Sequence, residues 1–541
     1  EATGGLIDLD KLPVGDPTLS AKEIIGNESQ ERMGLVIGQK DIETLKRIAD
    51  RERSPMYQVG DVTGDHRFTF ESKTTGAKPM DFELADMFGS SPKMIMKDVS
   101  VERNFTEINY KEADFESYLE QVLQLEAVAC KDWLTNKVDR CVGGKVAKQQ
   151  CAGPLQLPLN NVGVMALDYK GKEGIATSIG HSPISALIDP KAGSRNAIGE
   201  ALSNIVFAPL KDGLKSVSLS ANWMWACKNE GEDARLYEAV EACSEFAIEL
   251  GINIPTGKDS LSMKQKYADT EVIAPGTVII SAAGNCNEIT KVVEPVFQKN
   301  AGSIYYINLS QDEFKLGGSS FAQIRNAIGK ETPTIKNAAF FKKTFNAIQE
   351  LIKNDEIAAG HDIGSGGLIT TLLEMCFADN HLGAKLDFDS FEEKDVLKIL
   401  FSENIGIVLQ ANDDNVFESF LKEENITFHK LGIVTASNNL AIGNYSLDIE
   451  KYRDTWFKTS YLLDQKQTKN GKAAARFVNY KNQTLQFQFP SHFKGNKPEI
   501  DASKPRPKAA IIREKGSNSE REMANAMYLA GFDVKDVHMT D

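Results

Sequence analysis

An internal repeat is the feature that most restricts what this chain can fold into. Segment 31–37, ERMGLVI, resembles segment 403–409, ENIGIVL, and the same spacing of 372 positions relates Gly60 to Gly432. Farther upstream IDLD resembles LDFD, with seven additional residues in the first copy. A constant offset over about thirty residues with matching apolar positions rarely arises by chance. We therefore predict a duplicated α/β unit whose first copy lacks its beginning.

The second copy contains a strand, a small-residue turn and a helix in direct succession. An apolar run from Ile357 leads to His361 and Asp362, and the glycine turn, residues 364–367, follows. Apolar residues then recur at helical spacing up to Cys376. Backbone N–H groups at such a helix start can bind an anion, and a nearby carboxylate can share Mg²⁺ with phosphate oxygens. The alternative is an ordinary turn beside a solvated acid.

Composition predicts a soluble protein of several domains. The 541 residues suggest roughly three or four domains. The net charge of −14 argues against nucleic acid as a partner, and no apolar run is long enough to span a membrane. Seven cysteines without a CxxC pair fit a reducing cytoplasm. The chain begins without Met and stops soon after a βαβ pattern has begun, so we expect a piece of a longer protein.

Local patterns divide the chain into six segments. In order they are a truncated first C-like domain (1–70), a connector (71–145), an N-like α/β domain (146–290), the complete C-like repeat (291–450), a linker (451–508) and the start of another parallel α/β domain (509–541).

Three further groups of residues are candidates for chemistry. Glu200 and Asn204 lie four residues apart in a predicted helix, so their oxygens can share one cation; a surface pair is the alternative. Lys258 and Asp259 follow Gly257 in a segment that suits phosphate and Mg²⁺ but does not match a Walker motif, so a simple turn is the alternative. His181 has the chemistry of an acid/base but no identifiable partner.

Taken together, the motifs resemble the synthetase part of phosphoribosylformylglycinamidine synthase in its large single-chain amidotransferase form. The similar blocks run nearly end to end. They include NESQER (27–32), SPKM (91–94), GEALSN (199–204), LSANWM (219–224), GKDS (257–260) and HD with GGL (361–368). The tail, from Arg513-Glu514 to Asp536-Val-His-Met539, is similar to the start of the family's glutaminase domain.

This resemblance implies a fold and a reaction. The implied fold is α/β (α+β), with tandem domains like those of aminoimidazole ribonucleotide synthetase and the first βαβ unit of a class I glutamine amidotransferase. The implied reaction is the ATP-dependent conversion of formylglycinamide ribonucleotide and glutamine to formylglycinamidine ribonucleotide, with ammonia passing between the two activities. ATP or ADP and Mg²⁺ are the implied cofactors. The missing first synthetase half and the glutaminase body would be intramolecular partners.

By motif position, the resemblance assigns an auxiliary nucleotide–Mg²⁺ site to the second half. The implied metal ligands are Asn161, Glu200, Asn204 and Asp362, and the implied nucleotide contacts are Asn160, Gly364 and Lys258. Asn161 stands where an aspartate is common, and Gly364 where a serine is common. The His181 segment is one residue shorter than the family pattern, so no role transfers to it.

No catalytic residue is expected within these 541 residues. The family's catalytic histidine would precede Glu1, and no cysteine follows Cys376 that could act as a glutaminase nucleophile. Two alternatives remain open. One is another ATP-dependent synthetase of the same superfamily, which would lack the repeat and the amidotransferase start. The other is a noncatalytic nucleotide-binding scaffold.

Overall fold

The structure is a computed structural model that describes residues 3–27, 32–89, 95–135, 140, 144–482, 488–493, 499–501 and 503–540. The sequence motifs at 28–31 and 91–94 lie outside the described residues. The chain divides into two compact units, 1–96 and 97–541.

The first unit is a small mixed sheet with short helices. Its elements are β1 (Gly5–Asp8), α1 (Ala21–Gly26), α2 (Ile42–Arg51), β2 (Gly60–Val62), β3 (Arg67–Glu71), β4 (Met80–Glu83) and α3 (Leu84–Phe88). The strands are ordered β2-β1-β3-β4, with β1 antiparallel to β2 and parallel to β3.

The second unit opens with a connector and an N-like domain. The elements are α4 (Phe115–Leu123), α5 (Asp132–Thr135), β5 (Val146–Lys148), β6 (Cys151–Ala152), β7 (Leu157–Pro158), β8 (Gly163–Ala166), β9 (Gly174–His181), α6 (Pro183–Ile188), α7 (Pro190–Ile205), β10 (Val217–Met224), α8 (Glu232–Leu250), β11 (Asn253–Ser260), β12 (Lys264–Lys266), β13 (Glu271–Ile273) and β14 (Thr277–Cys286). Six strands form one sheet in the order β11-β10-β14-β9-β8-β5, and α7 and α8 pack together beside it.

The C-like domain and the tail complete the second unit. The elements are β15 (Ile304–Asn308), α9 (Ser320–Ile324), α10 (Ala338–Lys353), β16 (Ile357–Asp362), α11 (Gly367–Phe377), β17 (Gly383–Leu386), α12 (Val396–Phe401), β18 (Gly406–Ala411), α13 (Asp414–Glu423), β19 (His429–Thr435), β20 (Asn439–Ile442), β21 (Tyr445–Asp448), α14 (Ile449–Gln467), α15 (Lys472–Asn479), β22 (Lys508–Arg513), α16 (Glu520–Leu529) and β23 (Asp533–His538). The tail is a parallel βαβ unit, as its sequence predicted.

The strand order confirms the internal repeat. The seven-stranded sheet of the C-like domain runs β16-β18-β15-β19-β17-β20-β21, and its last four strands reproduce β2-β1-β3-β4 with the same pairing directions. The register agrees as well, since Ile7 pairs with Gly60 as Leu386 pairs with Gly432. Helix α2 corresponds to α13 at the offset found in the sequence.

The two copies differ at one strand. Segment 34–39 matches β18 but forms no strand, and Leu35 and Val36 are 61% and 64% exposed. In the C-like domain β18 lies between β15 and β16. The described residues of the first unit contain no counterpart of those two neighbours, so the apolar run has no strand to pair with.

The segment predicted as a linker, 451–508, differs from that expectation because it contains α14 and α15. The buried residues of α14 recur at helical spacing, but they include Arg453, Ser460 and Asp464 beside Trp456 and Phe457. These polar members hide the periodicity in the sequence. Arg453 and Ser460 both have hydrogen-bonding partners, which lowers the cost of burying them.

A simple turn was one of the two alternatives predicted for residues 255–260. In the structure these residues are part of strand β11. Gly257 is required there because a Cβ would lie 2.2 Å from the Ala221 carbonyl oxygen of the neighbouring strand.

A continuous hydrophobic core joins the N-like and C-like domains. It contains Ile198 and Leu202 of α7 together with Ile307 and Phe341 of the C-like domain. Buried Gln349 of α10 adds polar links, since it accepts from the Leu210 N–H and donates to two carbonyls at the end of α7. The two domains therefore fold around shared apolar residues. No helix among the described residues is both long and apolar enough to cross a membrane.

Candidate functional site

The glycine turn lies where the sequence placed it, between β16 and α11. Gly366 has a φ of +94°, a left-handed value that suits glycine. Among the described residues the Gly364 and Ser365 N–H groups donate no hydrogen bond, whereas the Gly366 N–H donates to Glu403 Oε1 at 2.7 Å. Two N–H groups of the turn are thus free for an anionic ligand, and a third is already taken.

The carboxylate that accepts the hydrogen bond from this turn belongs to Glu403. It also accepts from the Ser320 N–H at 2.8 Å, so it joins the starts of α9 and α11. Burial raises the pKa of Glu403, and the nearby charge of Glu200 adds to the rise. Glu403 is not among the predicted site residues, although the repeat matches it with Glu31.

Asp362 is buried at the end of β16, with 2% of its surface exposed. Its Oδ1 accepts from Asn161 Nδ2 at 2.8 Å and lies 3.0 Å from His361 Nδ1. His361 Nε2 lies 3.0 Å from Glu374 Oε2 on α11. Gly364 is adjacent, since a Cβ built on it would lie 3.5 Å from Asp362 Oδ2. The structure therefore brings together three of the predicted site residues, Asn161, Asp362 and Gly364.

The two buried partners stabilise each other's charge. Burial opposes ionisation of Asp362, but hydrogen bonds from His361 and Asn161 hold its pKa below the ordinary value. Burial also opposes a charged imidazole, yet the bonds to Asp362 and Glu374 raise the pKa of His361 well above its usual range. These contacts favour an ionised Asp362 beside a protonated His361.

Glu200 and Asn204 share one face of α7, as their spacing predicted, and that face is packed against β9. Glu200 Oε2 accepts from the His181 N–H at 2.6 Å, and Asn204 Nδ2 donates to the Ile179 carbonyl at 3.1 Å. His181 Nδ1 lies 3.5 Å from Glu200, and this contact raises the pKa of His181. No role was predicted for His181, and the structure makes it a partner of a predicted ligand.

Two amide oxygens of the predicted site are buried without a hydrogen-bond partner among the described residues, Asn160 Oδ1 and Asn204 Oδ1. In both residues the amide nitrogen is held, by the Gln149 carbonyl for Asn160 and by Ile179 for Asn204. An unpartnered buried oxygen is unfavourable by itself and suits a cation or a donor that the protein does not provide. The residues present therefore fit a hard cation.

Lys258 lies apart from these residues. Cross-strand pairs place His181, Ile279, Asn222 and Lys258 in one row over four strands. At about 4.8 Å per strand the His181 and Lys258 backbones are about 14 Å apart. Lys258 Nζ donates to Ser260 Oγ at 2.6 Å, and no hydrogen bond joins it to the other candidates within the described ranges. Only a ligand that extends across the sheet could contact both ends of this row.

The candidate metal ligands are two carboxylates and two amides. Within the part of the chain that the structure describes, no three His, Cys, Asp or Glu side chains form a metal-binding group. Such a donor set would hold an ion weakly, so oxygens of a bound molecule would fill its remaining coordination positions. Mg²⁺ binds phosphates in this way.

Comparison with known domain families identifies the parts of the chain. Residues 130–285 match the FGAR-AT PurM_N-like domain, and residues 1–73 and 308–443 both match the AIR synthase related protein, C-terminal domain. Residues 506–541 match the CobB/CobQ-like glutamine amidotransferase domain. The repeated C-terminal match agrees with the duplication. These domains define an AIR synthase-related protein that continues into an amidotransferase segment.

Relatives narrow this class to one family. The probable chloroplastic/mitochondrial phosphoribosylformylglycinamidine synthase of Arabidopsis thaliana is 38% identical over 99% of this chain and 40% of its own length. The phosphoribosylformylglycinamidine synthase of Homo sapiens is 36% identical over 100% of this chain and 42% of its own length. The chain belongs to the phosphoribosylformylglycinamidine synthase family, which confirms the resemblance found in the motifs.

The similarity covers only part of the length of each relative. The chain spans about two fifths of the length of the curated relatives it matches. Among solved structures, T. maritima PurL complexed with FGAR is 13% identical, with a TM-score of 0.48 over 68% of this chain and 55% of that chain.

Proposed function

We propose that this chain works as part of a ligase that converts formylglycinamide ribonucleotide, glutamine and ATP to formylglycinamidine ribonucleotide, glutamate, ADP and phosphate in purine biosynthesis. The observation that supports this is similarity to the named synthases over 99–100% of the chain. In this reaction ATP phosphorylates the amide oxygen of the substrate, and ammonia then displaces phosphate to give the amidine. The first half of the synthetase and the glutaminase body would be partners within the same enzyme.

We further propose that the second half binds ATP or ADP with Mg²⁺ at the glycine turn. Bound Mg²⁺ would neutralise phosphate charge and hold the phosphates in place. Asp362, Glu200, Asn161 and Asn204 would hold the ion through their oxygens. The free N–H groups at the start of the turn would donate to a phosphate.

Each residue has a distinct part in this proposed site. His361 keeps Asp362 ionised while it is buried, and Asn204 offers an oxygen that has no other partner. Asn161 at present donates to Asp362 through Nδ2, so binding an ion requires its amide to turn and present the oxygen. Lys258 and Asn160 would contact other parts of the nucleotide.

A cytoplasmic location is part of the proposal. The six cysteines in the described ranges are all buried free thiols, which fits a reducing compartment.

Calorimetry with ADP and ATP, each with and without Mg²⁺, tests the nucleotide site. We expect Mg²⁺-dependent binding that Asp362→Asn and Glu200→Gln each weaken at least about tenfold, the loss expected for one charged ligand. Glu418→Gln is the matched control, because Glu418 pairs with Lys422 and Lys430 elsewhere in the C-like domain. Equal binding by all variants would contradict the assigned ligands.

The reaction itself is tested on the complete protein that contains this chain. It is supplied with formylglycinamide ribonucleotide, ATP, Mg²⁺ and either glutamine or ammonia, and ADP release is followed. We expect ADP release only when the ribonucleotide and a nitrogen donor are both present. ADP release without the ribonucleotide, or none with it, would contradict the proposed reaction.

A further inference from the structure

One turn of helix α14, from Trp456 to Ser460, is bound to a short segment, residues 128–133, called here the strap. Trp456 Nε1 donates to the Val128 carbonyl at 2.9 Å, and the Cys130 N–H donates back to the Trp456 carbonyl at 3.1 Å. One turn farther along α14, Ser460 Oγ accepts from the Trp133 N–H at 2.8 Å. These three bonds fix the strap against the helix.

A bidentate ion pair extends the same attachment to α15. Arg476 donates to both carboxylate oxygens of Asp132, at 3.1 and 2.6 Å, and Asp132 is 4% exposed. Both helices of the segment predicted as a linker therefore hold the strap.

The opposite side of the strap packs on the glycine turn. Val128 is 5% exposed, and a Cβ built on Gly366 would lie 3.2 Å from Val128 Cγ1. The turn therefore has no spare space on this side. Val128 therefore has two contacts: Trp456 binds its carbonyl, and its side chain limits the space at Gly366.

We infer that α14 positions the glycine turn through the strap, with Trp456 and Ser460 as its positioning residues. The segment between the synthetase domains and the amidotransferase-like residues is then part of the support of the proposed nucleotide site. The inference rests on the proposed function only for the identity of the ligand, because the contacts themselves involve no ligand.

Helix α14 also packs in the hydrophobic core. A test must therefore distinguish its contribution to packing from its effect on the position of the glycine turn. Trp456 and Phe377 are in ring contact, with centroids 5.3 Å apart, so loss of volume at Trp456 would loosen α11 in any case. The informative change removes the indole N–H while keeping an aromatic ring. Trp456→Phe does this.

The chain offers a matched control in Trp225. It is 1% exposed, like Trp456, but its Nε1 has no hydrogen-bond partner among the described residues. Trp225→Phe therefore removes the same atoms from a buried site without breaking a hydrogen bond to the strap.

Amide hydrogen exchange, measured by mass spectrometry on the ligand-free chain, tests the inference. In Trp456→Phe we expect exchange of peptides covering 361–371 to rise about fivefold relative to peptides of α10, the change expected for one lost hydrogen bond. Trp225→Phe should leave this ratio unchanged. Faster exchange in the strap with no change at the turn, or the same ratio in both variants, would overturn the inference.

Ser460→Ala is the second variant and covers the case in which Trp456→Phe does not fold. It removes only the acceptor for Trp133, and we expect a smaller rise of the same ratio; an unchanged ratio would count against the inference. Calorimetry with ADP and Mg²⁺ is run in parallel. Absence of binding to the wild-type chain would contradict the proposed nucleotide site, while the exchange ratio would still decide whether α14 positions the turn.

Discussion

Asn161 donates a hydrogen bond from Nδ2 to Oδ1 of Asp362 across 2.8 Å, and the two residues are 201 positions apart in the chain. The bond joins the N-like domain to the end of strand β16 in the C-like domain. The amide thus gives the carboxylate a hydrogen-bond donor. This arrangement predicts how the site responds to a change of charge.

Asn161→Asp should make the site dependent on a cation. Without metal, two carboxylates in contact repel each other, and we expect a loss of about 2 kcal/mol in the free energy of unfolding. Added Mg²⁺ should restore much of this loss by binding between them. Thermal unfolding with Mg²⁺ and with a chelator measures the effect.

Asn160→Asp is the control for that substitution. Its Nδ2 donates to the Gln149 and Cys151 carbonyls, so the variant loses those bonds, and among the described residues no hydrogen bond joins Asn160 to Asp362. Mg²⁺ should not rescue it. An equal response of the two variants to Mg²⁺ would show that the ion does not bind at Asp362.

Glu403→Ala should leave two buried N–H groups without an acceptor, those of Gly366 and Ser320. At about 1–3 kcal/mol for each group, we expect a loss of about 4 kcal/mol in stability. Both N–H groups donate to the same oxygen, Oε1, so Glu403→Gln can keep both bonds and should lose much less than the alanine variant. Urea unfolding compares the two variants.

A small anion provides an independent check on Glu403. Acetate at high concentration should raise the melting temperature of Glu403→Ala more than that of Glu403→Gln, because only the alanine variant leaves space for a carboxylate. A similar rise in both variants would contradict the assignment of the Glu403 carboxylate as the acceptor for the Gly366 N–H group.

Gly60 and Gly432 should be intolerant of any side chain, because both copies of the repeat bring a carbonyl against them. A Cβ would lie 2.2 Å from the Leu6 oxygen in the first case and 2.0 Å from the Lys385 oxygen in the second. We expect each alanine substitution to lower the free energy of unfolding of the unit that contains it by about 2 kcal/mol or more. Gly15→Ala, which has open space, is the control in the first unit. Limited proteolysis resolves the two units, and a stable Gly60→Ala would contradict the shared register.

Asp414 should contribute stability that acid removes. Burial opposes its ionisation, but donation from Ser303 and Lys430 lowers the pKa of Asp414 to about 2. Because the folded pKa lies below the unfolded value of about 3.9, this stability is present above pH 4 and is lost as pH falls towards 2. Asp414→Asn should therefore cost about 2 kcal/mol at pH 7 and much less near pH 2. A constant difference over that range, in urea unfolding, would contradict this assignment.

Much of the fold followed from patterns that depend on near neighbours in the chain. The glycine turn between β16 and α11 was predictable because apolar spacing and glycine content are local properties. The repeat was predictable because duplicated sequences keep their apolar positions, and the order of β17, β19, β20 and β21 then matched that of the first unit. Glu200 and Asn204 share a helix face for the same local reason.

Other features depended on contacts between distant segments. Arg453 and Ser460 made α14 look polar, and only their hydrogen-bonding partners in distant segments explain why they are buried. Likewise β11 became a strand because β10 lies beside it.

By itself the sequence determined the family, the duplication, the position of the glycine turn and the residue types around it, because each is written in short runs or in a constant offset. Only the tertiary structure decided which partners these residues have. It paired Asn161 with Asp362, gave the Gly366 N–H to Glu403, and set Trp456 against the strap beneath the turn. Pairs separated by 37, 201 or 328 positions leave no local pattern, and the packed core alone brings them within hydrogen-bonding distance.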